Sequence, residues 1–219
     1  IVAAGPAGAS ADIVARVLAD VLSKQTGQTV IVEPKPGAGG VLAVNELSLA
    51  PRDGSTLLVG VSSLVSEIPH IVKLKTDMAA EIKPLVEVAR GGLVMVGNPS
   101  LPAKTLPEVI SYVKANPGKV SFASYTAGTM SHVMGLQLNK AAGIDMLHVG
   151  YKGSTPALQD LMGGHVQLMF DGLATSIPLI KSGKIKAFAV SLPKRSPLLP
   201  EVPTFAELGY PQLEGVLWM

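Results

Sequence analysis

Short apolar runs alternate along the chain with longer segments in which apolar residues recur every three or four positions. The runs predict buried strands at residues 29–33, 56–61, 93–97, 120–124, 166–171 and 187–191. The longer segments predict helices over residues 10–26, 41–50, 105–116, 131–142, 154–163 and 174–182. Strands that alternate with helices indicate an α/β fold with mainly parallel sheets.

Two features in the middle of the chain suggest its organisation. Thr105-Leu106-Pro107-Glu108 has the form of a capping box with proline in the first turn, which predicts a helix start. The segment Asn98-Pro99-Ser100-Leu101-Pro102 separates two strand-helix sets, and its prolines favour an extended connection. We therefore expect a first lobe over residues 1–98 and a second over 99–219, with Leu213–Met219 crossing back to the first lobe.

Composition excludes several classes of protein. The chain has 219 residues, with 18 Lys and Arg against 16 Asp and Glu, and only 4% aromatic residues. Because there is no dense basic block and few rings on which bases could stack, we expect no nucleic-acid partner. The absence of cysteine excludes disulfides and thiolate metal sites. Every apolar run is shorter than the roughly 18–20 residues of a membrane span, so we expect no direct membrane insertion.

The opening sequence IVAAGPAGASAD predicts a strand, a tight turn and a helix. A Rossmann domain begins in this way, with pyrophosphate at the helix N-terminus and an acidic residue, here Glu33, at the end of the second strand. However, Ala3 stands where the first glycine of that motif is expected, and Asp12 would oppose a pyrophosphate from the first helical turn. Asp12 is equally explained as a carboxylate that complements the helix dipole. A dinucleotide site is therefore only weakly indicated.

Hydrolytic or metal chemistry finds little support. The sequence has no G-x-S-x-G nucleophile elbow. Ser131 and His132 are neighbours on a predicted helix start, where their side chains diverge. The four histidines do not have metal-ligand spacing. Asp171 ends an apolar strand, where a catalytic carboxylate is conceivable, but a loop-anchoring or ligand-contacting role is favoured.

Two Gly-containing turns favour an anion-binding site. The turn Gly5–Ser10 precedes a helix, and the segment Ser124–His132 follows a strand and precedes another. Small residues let a ligand approach the backbone, while helix N-termini offer unpaired N–H groups and a favourable dipole. Two such turns that face each other across a cleft would hold a carboxylate without Arg or Lys. From these residues alone, ordinary connections between strands and helices explain the turns equally well.

Longer motifs resemble a known family, the solute-binding receptors of tripartite tricarboxylate transporters, or Bug proteins. The resemblance runs along nearly the whole chain. It rests on the motifs GPAGASADIVAR at 5–16, IVEPKPGAGG at 31–40, DGSTLL at 53–58, HVGYKGSTPALQDLMGGHVQLMFD at 148–171 and KRSPLLPEVPTFAELGYP at 194–211.

This resemblance implies a two-lobed periplasmic binding protein of type II-like fold. Each lobe would be a mainly parallel sheet flanked by helices, with the ligand in the interlobe cleft. The protein would be a periplasmic monomer that captures a small mono- or dicarboxylate and delivers it to membrane permease subunits. It would have no cofactor, no metal and no catalytic residues. Because members of the family continue well past Trp218, the first lobe is expected to lack its C-terminal return.

The resemblance also implies which residues bind the ligand. Two loops would hold a carboxylate through backbone amides and waters, the strand end at Asp171 would add a contact, and two serines would bind the distal end. The first loop contributes Ala7, Gly8, Ala9 and Ser10, the second Tyr125, Thr126, Ala127, Gly128, Thr129 and His132, and the serines are Ser62 and Ser63. The alternatives are a dinucleotide-dependent α/β enzyme and a carboxylate-sensing signalling domain.

Overall fold

A computed structural model describes residues 1–72, 78 and 82–219. The first part of the chain forms a small parallel sheet in the strand order β2-β1-β3. Its elements are β1 (Val2–Ala3), α1 (Ser10–Thr26), β2 (Glu33–Pro34), α2 (Val41–Leu49), β3 (Leu58–Val59) and α3 (Ser63–Ser66), with short 3-10 helices at Ala38–Gly40 and Ile68–His70.

Small residues let α1 pack closely on this sheet. Ala11, Ala15 and Ala19 recur every four positions and are buried, as expected for one face of a helix. The helix ends at Gly27, whose φ of 70° is left-handed and whose N–H returns to the carbonyl oxygen of Ser23. Residues 10–26 are the helix that the apolar periodicity predicts.

The second sheet has five strands in the order β7-β6-β8-β5-β9. Strands β7, β6 and β8 run parallel, whereas β5 is antiparallel to both β8 and β9, so this sheet is mixed. Its elements are β5 (Leu93–Gly97), α4 (Leu106–Ala115), β6 (Ser121–Ser124), α5 (Met130–Ala142), β7 (Leu147–Gly150), α6 (Ser154–Gly163), β8 (Leu168–Gly172), α7 (Leu173–Lys181) and β9 (Lys186–Val190).

Helices cover both faces of the five-stranded sheet, and this explains its uninterrupted apolar runs. Every residue of β5 and β8 is buried. Along β5, Leu93 and Met95 belong to one apolar cluster, while Val94 and Val96 belong to another on the opposite face. Strands buried on both faces are apolar at each position rather than at alternate ones.

The capping box at the start of α4 is confirmed. Thr105 is the N-cap, and its hydroxyl oxygen accepts the N–H of Glu108 at 3.4 Å. The Glu108 carboxylate in turn accepts the N–H of Lys104 at 2.6 Å. The helix therefore begins at Leu106, with Pro107 in its first turn.

Two strand predictions need correction. The regular ladder near residues 29–33 covers only Glu33–Pro34, because the preceding segment lies at a sheet edge where Ile31 is exposed. Strand β7 was missed, since it is a partly exposed edge strand that contains His148 and so does not form an apolar run.

One of the two crossings between the sheets differs from its predicted position. Strand β5 pairs only within the second sheet, whereas the predicted lobe boundary at residues 98/99 places it in the first lobe. Asn98 is itself fixed in the second lobe, because its Nδ2 donates to the carbonyl oxygen of Leu161 at 2.6 Å. The crossings are β4 (Arg90–Gly91), ahead of β5, and β10 (Leu217–Trp218), which lies within the predicted return Leu213–Met219. These two strands pair antiparallel with each other. We call this pair the connecting ladder.

Ser191, at the end of β9, anchors both crossings to the second sheet. Its hydroxyl accepts the N–H of Leu93 at 2.9 Å and donates to the carbonyl oxygen of Gly215 at 2.7 Å. The Ser191 N–H also donates to the carbonyl oxygen of Leu93, and the Ser191 carbonyl oxygen accepts the N–H of Gly215. Within the described ranges, no helix is long and apolar enough to cross a membrane.

Candidate ligand-binding site

A cavity of about 80 Å³ lies where the two sheets face each other, next to the connecting ladder. Such a volume holds several water molecules. Its walls come from both lobes. They are Ala4, Gly5, Pro6, Ala9, Ser10, Ala11, Gly37, Gly39, Gly40, Val61, Ser63, Tyr125, Thr129, Lys152, Gly153, Ser154, Gly172, Leu217 and Met219.

Helix N-termini converge on this cavity. Ser10 opens α1, Thr129 is the N-cap of α5, Ser154 opens α6 and Gly172 is the N-cap of α7. Each helix N-terminus carries a partial positive charge of about half an elementary charge and unpaired backbone N–H groups. Such a cluster attracts an anion.

An internal hydrogen bond fixes the conformation of the first loop. Gly8 adopts a left-handed φ of 77°, and its N–H donates to Oδ2 of Asp12 at 2.8 Å. The same oxygen accepts Nε of Arg16 at 2.9 Å. Burial raises the pKa of Asp12, but the hydrogen bonds from Arg16 and Gly8 outweigh it, and the pKa is lowered. The Gly8 amide is therefore occupied within its own loop.

The second loop repeats this arrangement with different side chains. Gly128 has a φ of 85°, and its N–H donates to Nδ1 of His132, four residues later, at 3.0 Å. The N-caps match as well: φ and ψ are −76° and 166° at Ala9 and −75° and 159° at Thr129. Both loops thus lead into a helix N-terminus at the cavity, where Ser10 and Ala11 line the wall on one side and Thr129 on the other. For the described residues, the N–H groups of Ser10 and Ala11 have no hydrogen-bond partner.

His132 is the neutral tautomer with its proton on Nε2, because Nδ1 accepts the Gly128 N–H. Its ring lies 4.0 Å from that of His148, centroid to centroid. Burial lowers the pKa of His132. Burial and the neighbouring His132 together lower the pKa of His148 to about 4. His148 Nε2 also lies 2.7 Å from the hydroxyl of Ser124.

Asp171 lies beneath the cavity and does not line it. It is fully buried, and its two oxygens accept hydroxyl groups from four side chains. These are Tyr125 at 2.9 Å and Ser154, Thr175 and Ser176 at 2.6 Å each. The carboxylate therefore joins the second loop to the first turns of α6 and α7.

Tyr125 is fixed by both of its hydroxyl bonds. The hydroxyl donates to Asp171 and accepts the N–H of Gly172 at 2.6 Å. Burial and the Asp171 charge hold the pKa of Tyr125 well above its ordinary value. The ring can form a wall of the cavity, but the hydroxyl group already bonds to Asp171 and Gly172.

Direct contacts between the lobes close the cleft. Thr155 Oγ1 donates to the carbonyl oxygen of Ala7 at 2.9 Å. The N–H of Met130 donates to Oγ of Ser63 at 3.4 Å. A methyl group on Gly153 would lie 2.3 Å from Cδ of Pro6, so these two segments touch.

The structure brings part of the predicted set together at the cavity wall. The predicted residues that line it are Ala9, Ser10, Ser63, Tyr125 and Thr129. The others lie in or behind the two loops, or beside the connecting ladder. These are Ala7, Gly8, Ser62, Thr126, Ala127, Gly128, His132 and Asp171.

Of the predicted residues that do not line the cavity, Ala7, Ser62 and Thr126 make other hydrogen bonds. Ala7 accepts the interlobe bond from Thr155, and the N–H of Ser62 donates to the Trp218 carbonyl oxygen at 2.9 Å. The Thr126 carbonyl oxygen accepts the hydroxyls of Ser124 and Thr129. The Ala127 side chain is exposed.

Several wall residues are not among those that the sequence predicts. Lys152, Gly153 and Ser154 at the start of α6, and the glycines of residues 37–40, line the cavity. Both stretches lie in the family motifs, which is the sequence signal that could identify them. Gly40 has a φ of 97°, and a Cβ there would lie 2.9 Å from a Leu64 methyl group, so glycine permits both the turn and the packing.

The family model for the tripartite tricarboxylate transporter family receptor matches residues 14–219. BugT of Bordetella pertussis is 37% identical over 217 residues, and a UPF0065 protein in the gbd 5′ region of Cupriavidus necator is 39% identical over 203. These alignments cover 97% and 93% of this chain, respectively. The chain spans 66% of the length of the first relative and 62% of the second.

Solved structures agree with the fold. The periplasmic binding protein BugD is 34% identical, with a TM-score of 0.90. Rhodopseudomonas palustris Rpa4515 with adipate and MatC of the same organism with bound malate are both 29% identical, with TM-scores of 0.90 and 0.87. Each match covers 99% of this chain and 73–74% of the neighbour's chain. These neighbours are solute-binding proteins rather than enzymes, and the chain belongs to the tripartite tricarboxylate transporter receptor family, the Bug proteins.

Proposed function

We propose that this protein captures a small carboxylate in its interlobe cleft, in the periplasm, and delivers it to the permease subunits of a tripartite tricarboxylate transporter. One observation carries the proposal. The N-termini of α1, α5, α6 and α7 meet at a single cavity, and among the described residues of its wall none is acidic. Partial positive charge from several helices, with no opposing carboxylate at the surface, suits an anionic ligand.

The ligand carboxylate is held by backbone amides and by water. The N–H groups of Ser10 and Ala11 in the first loop are available, and Thr129 places the start of α5 opposite them. Ser63 adds a hydroxyl from the first lobe. Bridging waters approach direct hydrogen bonds in enthalpy, and the cavity has room for them. Two of the solved neighbours are named with adipate and with malate, and both of these ligands are small carboxylates.

Capture works by closure of the two lobes. The connecting ladder joins the lobes on one side of the cavity, and the Thr155–Ala7 hydrogen bond joins them across the cleft. Ligand and closed form stabilise each other, because the ligand contacts both lobes only when they are closed. The closed, monomeric receptor is then the form that the permease recognises.

A thermal-shift screen tests the binding proposal. The purified protein is heated with succinate, malate, adipate, butyrate or hexanoate, and with NAD, FAD or glucose in parallel. A ligand present at 100 times its Kd adds about 2.7 kcal/mol of stability. We expect stabilisation by one or more carboxylates and none by the dinucleotides or the sugar. Stabilisation by a dinucleotide and by no carboxylate would overturn the proposal.

Delivery requires a separate test. The permease subunits are reconstituted in vesicles, and uptake of a radiolabelled carboxylate that passed the first screen is measured with and without the receptor. Uptake that depends on the receptor supports transport. Equal uptake in both cases contradicts it and favours a sensing role for the same cleft.

A further inference from the structure

The second loop meets the cavity one residue after a hydrogen bond that His132 accepts. Gly128 has a φ of 85°, and its N–H donates to Nδ1 of His132 at 3.0 Å. The next residue, Thr129, is the N-cap of α5, is buried and lines the cavity. A Cβ on Gly128 would lie 2.5 Å from Cδ1 of Ile71, so the loop also packs closely against the first lobe. The bond to His132 therefore fixes the backbone that presents α5 to a ligand.

The imidazole of His132 is held in place by the second sheet. It lies nearly parallel to the ring of Phe122 on β6, with an interplanar angle of 13°. Its centroid is 4.0 Å from that of His148 on β7. His148 Nε2 lies 2.7 Å from Oγ of Ser124, whose hydroxyl donates to the carbonyl oxygen of Thr126 in the second loop. The two histidines thus brace the loop at two points.

Comparison with the first loop explains why the acceptor in the second is uncharged. Asp12 accepts the Gly8 N–H with a carboxylate, and Arg16, four residues further along α1, compensates its charge. The residue four positions after His132 is Leu136, which is exposed and uncharged. A carboxylate at residue 132 would lack that compensating cation and would repel an anionic ligand. A neutral imidazole accepts the glycine N–H without adding negative charge.

Protonation of His132 would remove this acceptor. An imidazolium carries a proton on each ring nitrogen, so an N–H at Nδ1 would face the Gly128 N–H across 3.0 Å. Two donors at this distance cannot bond to each other, and the loop must change its backbone conformation to separate them.

The groups around His132 favour its neutral form. Helix α5 packs on β6, β7, β8 and the 3-10 helix Pro211–Leu213, whose ionisable side chains are His148 and Asp171. Burial and His132 lower the pKa of His148 to about 4, so His148 is uncharged at neutral pH. Asp171 bonds to four hydroxyl groups rather than to His132. On α5 itself the other ionisable residue is Lys140, about two turns away. Burial lowers the pKa of His132 in the same way.

We propose that His132, in its neutral form, is a positioning residue that holds the second loop in the conformation that binds the carboxylate. This inference rests on the proposed function, because the loop forms one side of the same cleft. It adds a condition to that function: affinity falls when residue 132 no longer offers an acceptor to Gly128.

The test compares His132→Phe, which keeps a ring and removes the acceptor, with His132→Asn, which keeps an acceptor and does not titrate. Asp12 shows that a side chain of this length reaches the glycine amide four residues before it. His165→Asn, at an exposed site outside the cavity wall, is the matched control. Isothermal titration calorimetry gives the Kd of succinate, malate, adipate, butyrate and hexanoate at pH 7.5 and pH 5, at a temperature where circular dichroism shows the proteins to be folded.

At pH 7.5, His132→Phe should raise the Kd of each acid that binds the unmodified protein about two- to tenfold, as for loss of one hydrogen bond. His132→Asn should restore most of the lost affinity, and His165→Asn should bind as the unmodified protein does. The Kd of the unmodified protein divided by that of His132→Asn should rise from pH 7.5 to pH 5, because only the unmodified protein loses its acceptor to a proton. Protonation of the ligand affects both proteins equally and cancels in this ratio.

The outcomes separate this inference from the function on which it rests. If the unmodified protein binds none of the five acids at pH 7.5, the proposed function fails. If acids bind but His132→Phe binds them as tightly as the unmodified protein does, or His132→Asn as weakly as His132→Phe, the role of His132 is refuted while carboxylate binding stands. A Kd ratio that stays constant or falls at pH 5 refutes it as well, and this ratio decides alone if His132→Phe does not fold.

Discussion

Gly128 and His132 are joined by a hydrogen bond from the glycine N–H to Nδ1 of the imidazole, at 3.0 Å. This bond fixes the histidine as a neutral acceptor, because a protonated ring has no lone pair to offer. It also gives the second loop the shape that Asp12 gives the first through Gly8. The two halves of the cleft thus use one backbone geometry, held by a carboxylate in one lobe and an imidazole in the other.

Acidification should therefore destabilise the second lobe. The folded-state pKa of His148 is lowered to about 4, and that of His132 is lowered in the same direction. Both histidines have a pKa of 6.5 in the unfolded chain. Between pH 6.5 and their folded-state pKa values, the unfolded state therefore binds more protons than the folded state. Stability is fully present above pH 6.5 and falls as the pH drops from 6.5 towards 4.

The measurement is the melting temperature from pH 7.5 to 4 for the unmodified protein, His148→Gln and His165→Gln. Glutamine at residue 148 cannot titrate. The melting temperature of His148→Gln should therefore fall less above pH 4 than that of the unmodified protein. His165 is exposed and serves as the control. Identical pH profiles for all three proteins would show that the histidine pair does not control this transition.

Asp171→Ala should destabilise the fold strongly. The substitution leaves four hydroxyl donors without their acceptor, and those of Ser154 and Ser176 are buried. Each unsatisfied buried polar group costs about 1–3 kcal/mol, so a loss of about 3 kcal/mol or more is expected. Urea denaturation measures it, with Asp145→Ala at an exposed site as control. Equal stability of the two variants would mean that Asp171 does not organise the floor of the cavity.

Much of the fold follows from the apolar pattern, and the exceptions have identifiable physical causes. Residues 93–97 are predicted as a strand because all five are buried in the middle of a sheet. Strand β7 escaped prediction because an edge strand tolerates polar residues such as His148. Pairing between strands is not encoded locally, and so the sequence could not show that β5 joins the second sheet.

The site could be predicted only in part for a similar reason. Helix starts next to glycine are visible in the sequence, and Ser10 and Thr129 do line the cavity. Which amides remain free is a three-dimensional property. Gly8 and Gly128 looked like ligand contacts, yet their N–H groups are bonded to side chains four residues away. Lys152 was missed because its approach to the first loop depends on how the lobes meet.

Ser191→Ala should weaken the attachment of the connecting ladder. The N–H of Leu93 loses its side-chain acceptor and the carbonyl oxygen of Gly215 loses its hydroxyl donor at a fully buried position. We expect a loss of about 1–3 kcal/mol in the free energy of unfolding. Ser182→Ala, which removes an exposed hydroxyl from the end of α7, is the control. A loss below 0.5 kcal/mol, about that of a surface substitution, would contradict this role for Ser191.

Thr155→Val should weaken ligand binding without unfolding the protein. Valine keeps the shape of the side chain and removes the hydrogen bond to the Ala7 carbonyl oxygen across the cleft. A hydrogen bond contributes about 0.5–1.5 kcal/mol net, which corresponds to an increase in Kd of roughly two- to tenfold. Thr155→Ser retains the hydroxyl and should bind as the unmodified protein does. If both variants bind equally, this contact does not stabilise the closed form.

The central claim is that helix N-termini in the cleft hold the carboxylate, and Ala9→Asp tests it most directly. Ala9 is the N-cap of α1, provides no side-chain cap and lines the cavity. Aspartate is a favoured N-cap, so the helix itself should not be weakened. Its carboxylate would occupy the free first-turn amides and repel an anion. Thr105→Asp places the same group at the N-cap of α4, outside the cavity wall.

Calorimetric titration of these two variants and the unmodified protein, with a carboxylate identified in the thermal-shift screen, is the decisive measurement. At a temperature where it is folded, Ala9→Asp should lose binding by a hundredfold or more, about 2.7 kcal/mol. Thr105→Asp should bind normally. Unchanged affinity in a folded Ala9→Asp protein would contradict the account.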